Sequence, residues 1–202
     1  MIFPLFSSFI IFIIWLTYEI HKHNRIDAAA EERFWAKEHK ANRTKKQPLD
    51  DLDYITIPFE NLPMQLMPED ERIAEYKDIL RSLSESKIVN FTGISNTDLK
   101  LKYGAPNIDL LMRYDQNYTV LVRTLNLWAT YLYEEGYPKE AREILEFAVS
   151  TRTDVSSSYK LLCKIYKEEN TPEKIQSLLP IAESINSATK NTIVRILQEA
   201  AL

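Results

Sequence analysis

Gly136, Ala141 and Ala148 fall at a spacing that lets two helices turn back and lie close together. Thirty-four residues on, Asn170, Ile175 and Ala182 repeat the arrangement. No other property of the chain narrows its fold as far. A helical hairpin that recurs at this period cannot bury its apolar face alone, so it stacks on its neighbour, and such stacks serve as interaction scaffolds more often than as catalysts.

Counted from Val122, the first copy places Trp128, Ala129 and Leu132 before Gly136, and Ala141, Leu145 and Ala148 after it. Counted from Ser156, the second places Tyr159, Leu162, Cys163 and Tyr166 before Asn170, with Leu179 and Ala182 after it. This alternation of large and small residues resembles the tetratricopeptide repeat, in which small side chains permit close helix approach and large ones fill the space between. The resemblance covers copies at about 122–155 and 156–187, with a capping helix at 188–201. Two positions depart from it: Ile175 stands where a small residue is usual, and Asn170 replaces glycine, although asparagine tolerates the left-handed turn better than most residues.

What the resemblance implies is a concave groove lined by the first helix of each hairpin. The residues turned toward it would be Arg123, Asn126, Leu127, Thr130, Tyr133 and Glu134, then Ser157, Lys160, Leu161, Lys164, Lys167 and Glu168. Lys160, Lys164 and Lys167 share a helical face that Arg123 can join, a pattern suited to an acidic peptide or simply to solvent. The expected peptide groove is therefore Arg123, Asn126, Thr130, Lys160, Lys164 and Lys167. The family's carboxylate clamp is not matched, because Asn126 and Thr130 stand where that clamp uses Lys and Asn.

The N-terminus has a different character. Residues 1–18 carry no charge, and the first charged side chain is Glu19. At about 1.5 Å per residue, such a stretch spans roughly 26 Å, close to the roughly 30 Å hydrocarbon core of a bilayer. A membrane anchor over 1–21 is the preferred reading. A cleaved signal peptide fits less well, since no Lys or Arg precedes the apolar run and no small-residue cleavage site follows Leu16. A buried core helix lacks a polar face. The flank, 22–47, holds eight basic residues against four acidic ones. It reads as a charged juxtamembrane helix, and its sign predicts a single-pass protein of the cell membrane with the C-terminal body in the cytoplasm. The order of an apolar start, the stretch LDYITIP, then KIVNFTGISNTDLKLKYG and the repeats is also similar to membrane-anchored helical proteins of Gram-positive bacteria. That similarity implies a location rather than an activity.

Between Pro48 and Pro68 the helical period is lost. Leu52, Tyr54, Ile55, Thr56 and Ile57, bounded by Pro58 and Pro63, favour an extended backbone. We expect a linker over 48–68 that either lies on the helical body, in its groove for example, or simply tethers it. From Glu69 to the C-terminus, the domain 69–202 is expected to be helical. Ile73, Tyr76, Ile79, Leu80 and Leu83 form one apolar face. Thr97 or Asp98 caps a short helix ending at Gly104, and Pro106 opens the next.

The body, 48–202, carries 17 basic and 24 acidic residues. That acidity argues against nucleic acid as a principal partner. All three histidines, His21, His23 and His39, precede the body, so it has none for proton transfer or metal binding. Cys163, the single cysteine, occupies a small-residue packing position. Three glycines cannot supply a phosphate-cradling loop. The expectation is thus an all-α chain comprising an N-terminal transmembrane helix and a TPR-like hairpin domain. It is not an enzyme and takes no cofactor, metal or small-molecule substrate. It is either an adaptor that recruits a protein or peptide partner to the membrane or a structural subunit that stabilises a larger membrane complex.

Overall fold

The computed structural model describes residues 3–201, so Met1 and Ile2 of the expected anchor, and Leu202 at the end of the helical domain, lie outside the described residues. The described chain is all-α. Its helices are α1 (Phe3–Asn42), α2 (Glu71–Ser84), α3 (Asn96–Tyr103), α4 (Ile108–Glu134), α5 (Pro138–Ser150), α6 (Ser156–Glu168), α7 (Glu173–Ser177), α8 (Leu179–Ser184) and α9 (Lys190–Ala200). They divide into two compact units. One comprises residues up to Gln47 with Asn96–Pro106, and the other comprises Pro48–Ser95 with Asn107 onward.

In the first unit, the expected anchor and charged stretch are one uninterrupted helix of 40 residues. After Pro4 its sequence contains no glycine or proline, and Ala28 to Glu32 are strong helix formers, so nothing stops it before Asn42. Its charge-free described portion, 3–18, is about 24 Å long, which falls short of the roughly 30 Å core. Among the described residues, no helix is long and apolar enough to cross a membrane. At the far end, α3 closes against α1. Glu38 accepts from the Thr97 hydroxyl (2.7 Å) and from the Lys100 ammonium, Lys100 also donates to Asn42 (2.8 Å), and Lys37 pairs with Asp98 (2.6 Å). Donation by Lys100, then Thr97, holds the Glu38 carboxyl below its usual pKa. Ala41 and Leu99 are buried in this unit. Gly104 ends α3 as expected, with φ +91°, and a side chain there would meet the Lys45 carbonyl at 2.2 Å.

In the second unit, α2 starts one residue after its cap. The Asp70 carboxylate accepts from the Ile73 amide (3.0 Å) and from the Tyr131 hydroxyl (2.7 Å). The 48–68 segment is no plain tether. Ile57 and Leu62 enter the core, each worth about 1.5–3 kcal/mol if fully buried. Tyr54 forms a single antiparallel bridge with Val89, and the Ile55 amide donates to the Ile88 carbonyl (2.9 Å). A short 3₁₀ turn follows at Phe59–Asn61. Pro58, Asn61 and Leu62 share a surface hollow with Glu143 and Phe147 of α5, which sets this part of the segment beside the second helix of the hairpin rather than along the proposed groove. Buried Lys77 donates to the Leu66 carbonyl (2.7 Å), and burial lowers its pKa.

The repeat frame also needs one correction. Pro106 lies just before α4, as expected, but the helix does not restart at Val122. It runs unbroken from Ile108, so only its C-terminal half is the first helix of the first hairpin. Trp128, Leu125 and Leu132 from α4, Ile144 and Leu145 from α5, and Tyr159 and Leu162 from α6 are fully buried together.

The turns of the two hairpins match bond for bond. In the first, Glu135, Gly136 and Tyr137 amides donate to Tyr131, Tyr133 and Leu132 carbonyls. In the second, Glu169, Asn170 and Thr171 amides donate to Ile165, Lys167 and Tyr166 carbonyls. Gly136 and Asn170 are both left-handed, at φ +87° and +54°. This is the helix-ending geometry that glycine and asparagine accept most readily. The second helices differ. Where α5 is one element, its counterpart is split into α7 and α8 at Leu178, because Pro180 has no amide for the helical ladder.

Candidate peptide-binding face

The expected groove residues lie on the C-terminal half of α4 and on α6, and polar contacts join these helices across that face. Ser157 and Ser158 hydroxyls donate to Asn126 Oδ1 at 2.9 and 3.0 Å. Tyr133 donates from its hydroxyl to Glu168 (2.7 Å to Oε1), and the Lys164 ammonium stands 4.7 Å from the Tyr133 ring centre. Hydrogen bonding with Tyr133 raises the Lys164 pKa, so it remains a cation at neutral pH.

The six candidates therefore differ in what they have left to offer. The Thr130 hydroxyl donates to the Asn126 carbonyl (2.7 Å), one turn back on α4. Asn126 accepts from both serines, and Lys164 is placed by Tyr133. Arg123, Lys160 and Lys167 are exposed. Leu127, 43% exposed, and half-buried Leu161 belong to the same two helices.

Behind this face Cys163 is buried, and burial pushes its thiol up to about 11, which keeps it protonated at neutral pH. On the other side of α6, the Arg142 guanidinium pairs with Glu169, and the Tyr166 hydroxyl donates to Glu146 (2.9 Å), fastening α5 to α6.

The sequence reading did not anticipate a polar cleft of about 360 Å³ elsewhere in the second unit, lined in part by Asp53, Asn90, Arg152, Ser184 and Asn186. Arg152 adopts a left-handed backbone, φ +61°, and pairs with Asp53 at 3.0 Å. The Asn90 amide donates to the Thr151 carbonyl (3.0 Å). These residues come from four distant stretches with no shared spacing, so no sequence pattern announces them. No known protein family, curated protein or solved structure matches the chain.

Proposed function

We propose that this protein is a membrane-anchored, non-enzymatic scaffold, whose TPR-like hairpins offer the α4/α6 face to an acidic peptide in the cytoplasm. The observation that carries this reading is the set of cations, Arg123, Lys160 and Lys167 exposed with Lys164 over the Tyr133 ring, on the same two helices as the exposed side chain of Leu127. Such a face is unusual on a body with seven more acidic than basic residues. Charge pairs here would set orientation and association rate more than final affinity.

Support for the anchor comes from α1. Large apolar side chains from Phe9 to Trp15 are exposed one after another, on all sides of the helix. No single face is spared, as it would be in a helix lying flat on a surface, and immersion in an apolar medium covers them all. The alternative, a structural subunit of a larger membrane complex, calls for a broad apolar patch on the body. Exposed large apolar residues described in the second unit are Ile94, Met112 and Leu127, which favours the adaptor.

The test is crosslinking and affinity purification from native membranes, followed by binding of the captured acidic segment to the Lys160→Glu, Lys164→Glu double variant. We expect a loss of about tenfold or more, mainly in association rate and steepest at low salt. Unchanged binding overturns the peptide face. Digestion of the body by protease added outside intact cells overturns the cytoplasmic orientation.

A further inference from the structure

We infer that α1 is the seam of a parallel homodimer, in which two copies of this chain meet along one stripe of the helix. Phe9, Ile13, Leu16 and Ile20 follow one another at steps of four, three and four, and the same register continues to Ala30 and Phe34. A 3.5-residue period keeps side chains facing a partner helix along its whole length. All six are exposed. From Phe9 to Phe34 the stripe is about 38 Å long.

Continuity identifies the stripe as a packing seam. Its next two positions, Lys37 and Ala41, lie where α3 closes on α1: Lys37 pairs with Asp98, and Ala41 is fully buried. The line is thus already used for helix packing at its C-terminal end and is uncovered from Phe34 back to Phe9.

Lipid cannot be the whole cover. Phe34 lies about 24 Å along the helix beyond Tyr18, where the charge-free stretch ends. There Phe34 and Trp35, ring centres 5.4 Å apart and edge to face, are 55% and 51% exposed. A second copy in the same membrane presents an identical stripe at the same height, and tethering raises its effective concentration. His23 and Asp27 occupy the two middle positions and form a polar layer, the kind of interruption that fixes register at some loss of stability.

The parallel sense of the pair rests on the anchor reading, and the experiment separates the two. In full-length protein carrying Cys163→Ala, single cysteines replace Asp27 or Ala30 on the stripe, or Ala28 or Glu32 away from it. Membranes are oxidised and disulfide dimers counted. Stripe cysteines are expected to crosslink at least about fivefold more than the others, because only they are held face to face. Equal crosslinking at all four positions, or none at any, overturns the dimer. Phe34→Glu should shift the detergent-solubilised protein toward monomer by light scattering, and an unchanged mass also overturns it. Carbonate extraction of the same membranes reports separately on the anchor: release into the supernatant with stripe-specific crosslinks intact removes the anchor and retains the dimer.

Discussion

The first hairpin and the second close through the same turn and then diverge. The three turn bonds recur at an offset of 34, around a left-handed Gly136 in one and a left-handed Asn170 in the other. Beyond the turn, Pro138 and Pro172 again correspond, yet α5 is continuous over 13 residues while its counterpart breaks at Leu178. The turn is set by the conformational tolerance of one residue, and two different side chains meet that requirement. Continuity is set by every amide in the ladder, and Pro180, which corresponds to Glu146, removes one. The broken helix nevertheless buries Ile175 and Ala182 completely, as α5 buries Ala141 and Ala148. The break thus admits a bulkier residue at the first of these sites without exposing either.

Exchanging residues between the two copies tests this division. The largest effect is expected at the centre of the first. Trp128 is fully buried, so Trp128→Ala should cost about 3–5 kcal/mol in urea unfolding, whereas Leu162→Ala at the matching position should cost about 2–5. A markedly greater cost in the second copy would mean that the core is centred there. Next, Ala141→Ile places the second copy's bulk under the unbroken helix, and overpacking should cost about 1–3 kcal/mol. A neutral result would show that α5 yields as readily as its split counterpart. The smallest effect is expected at the turns. Gly136→Ala adds a methyl group that meets no atom within 4 Å, so its cost is conformational alone, about 1–2 kcal/mol. Asn170→Gly should stabilise by up to about 1 kcal/mol, and the two changes together would show whether one turn geometry underlies both hairpins.

The recurrence at 136 and 170 was legible because it depends on local backbone chemistry, and so was the end of α3 at Gly104. The start of α4 was obscured by the repeat itself. Nothing between Asp115 and Leu121 can break a helix, yet a boundary at Val122 suited the 34-residue frame. The role of 48–68 could not be read from periodicity, because Ile57 and Leu62 are buried from an irregular backbone with no fixed spacing. Among the candidate groove residues, the sequence indicated a shared face. It could not indicate that Asn126 would accept from Ser157 and Ser158, or that Tyr133 would place Lys164 and Glu168, since both depend on how α4 and α6 lie together.

The ion pair between Asp53 and Arg152 joins residues 99 apart in the chain. The α4–α5 turn, in contrast, is completed by amides that reach no farther than five residues. Closing a long loop has an entropic cost that short turns avoid, so hairpins can form early while the 48–68 segment docks late. During synthesis the difference is sharper still: this segment emerges before α4, α5 and α6 exist, and Ile57 and Leu62 must wait, unburied, for the helices that will cover them.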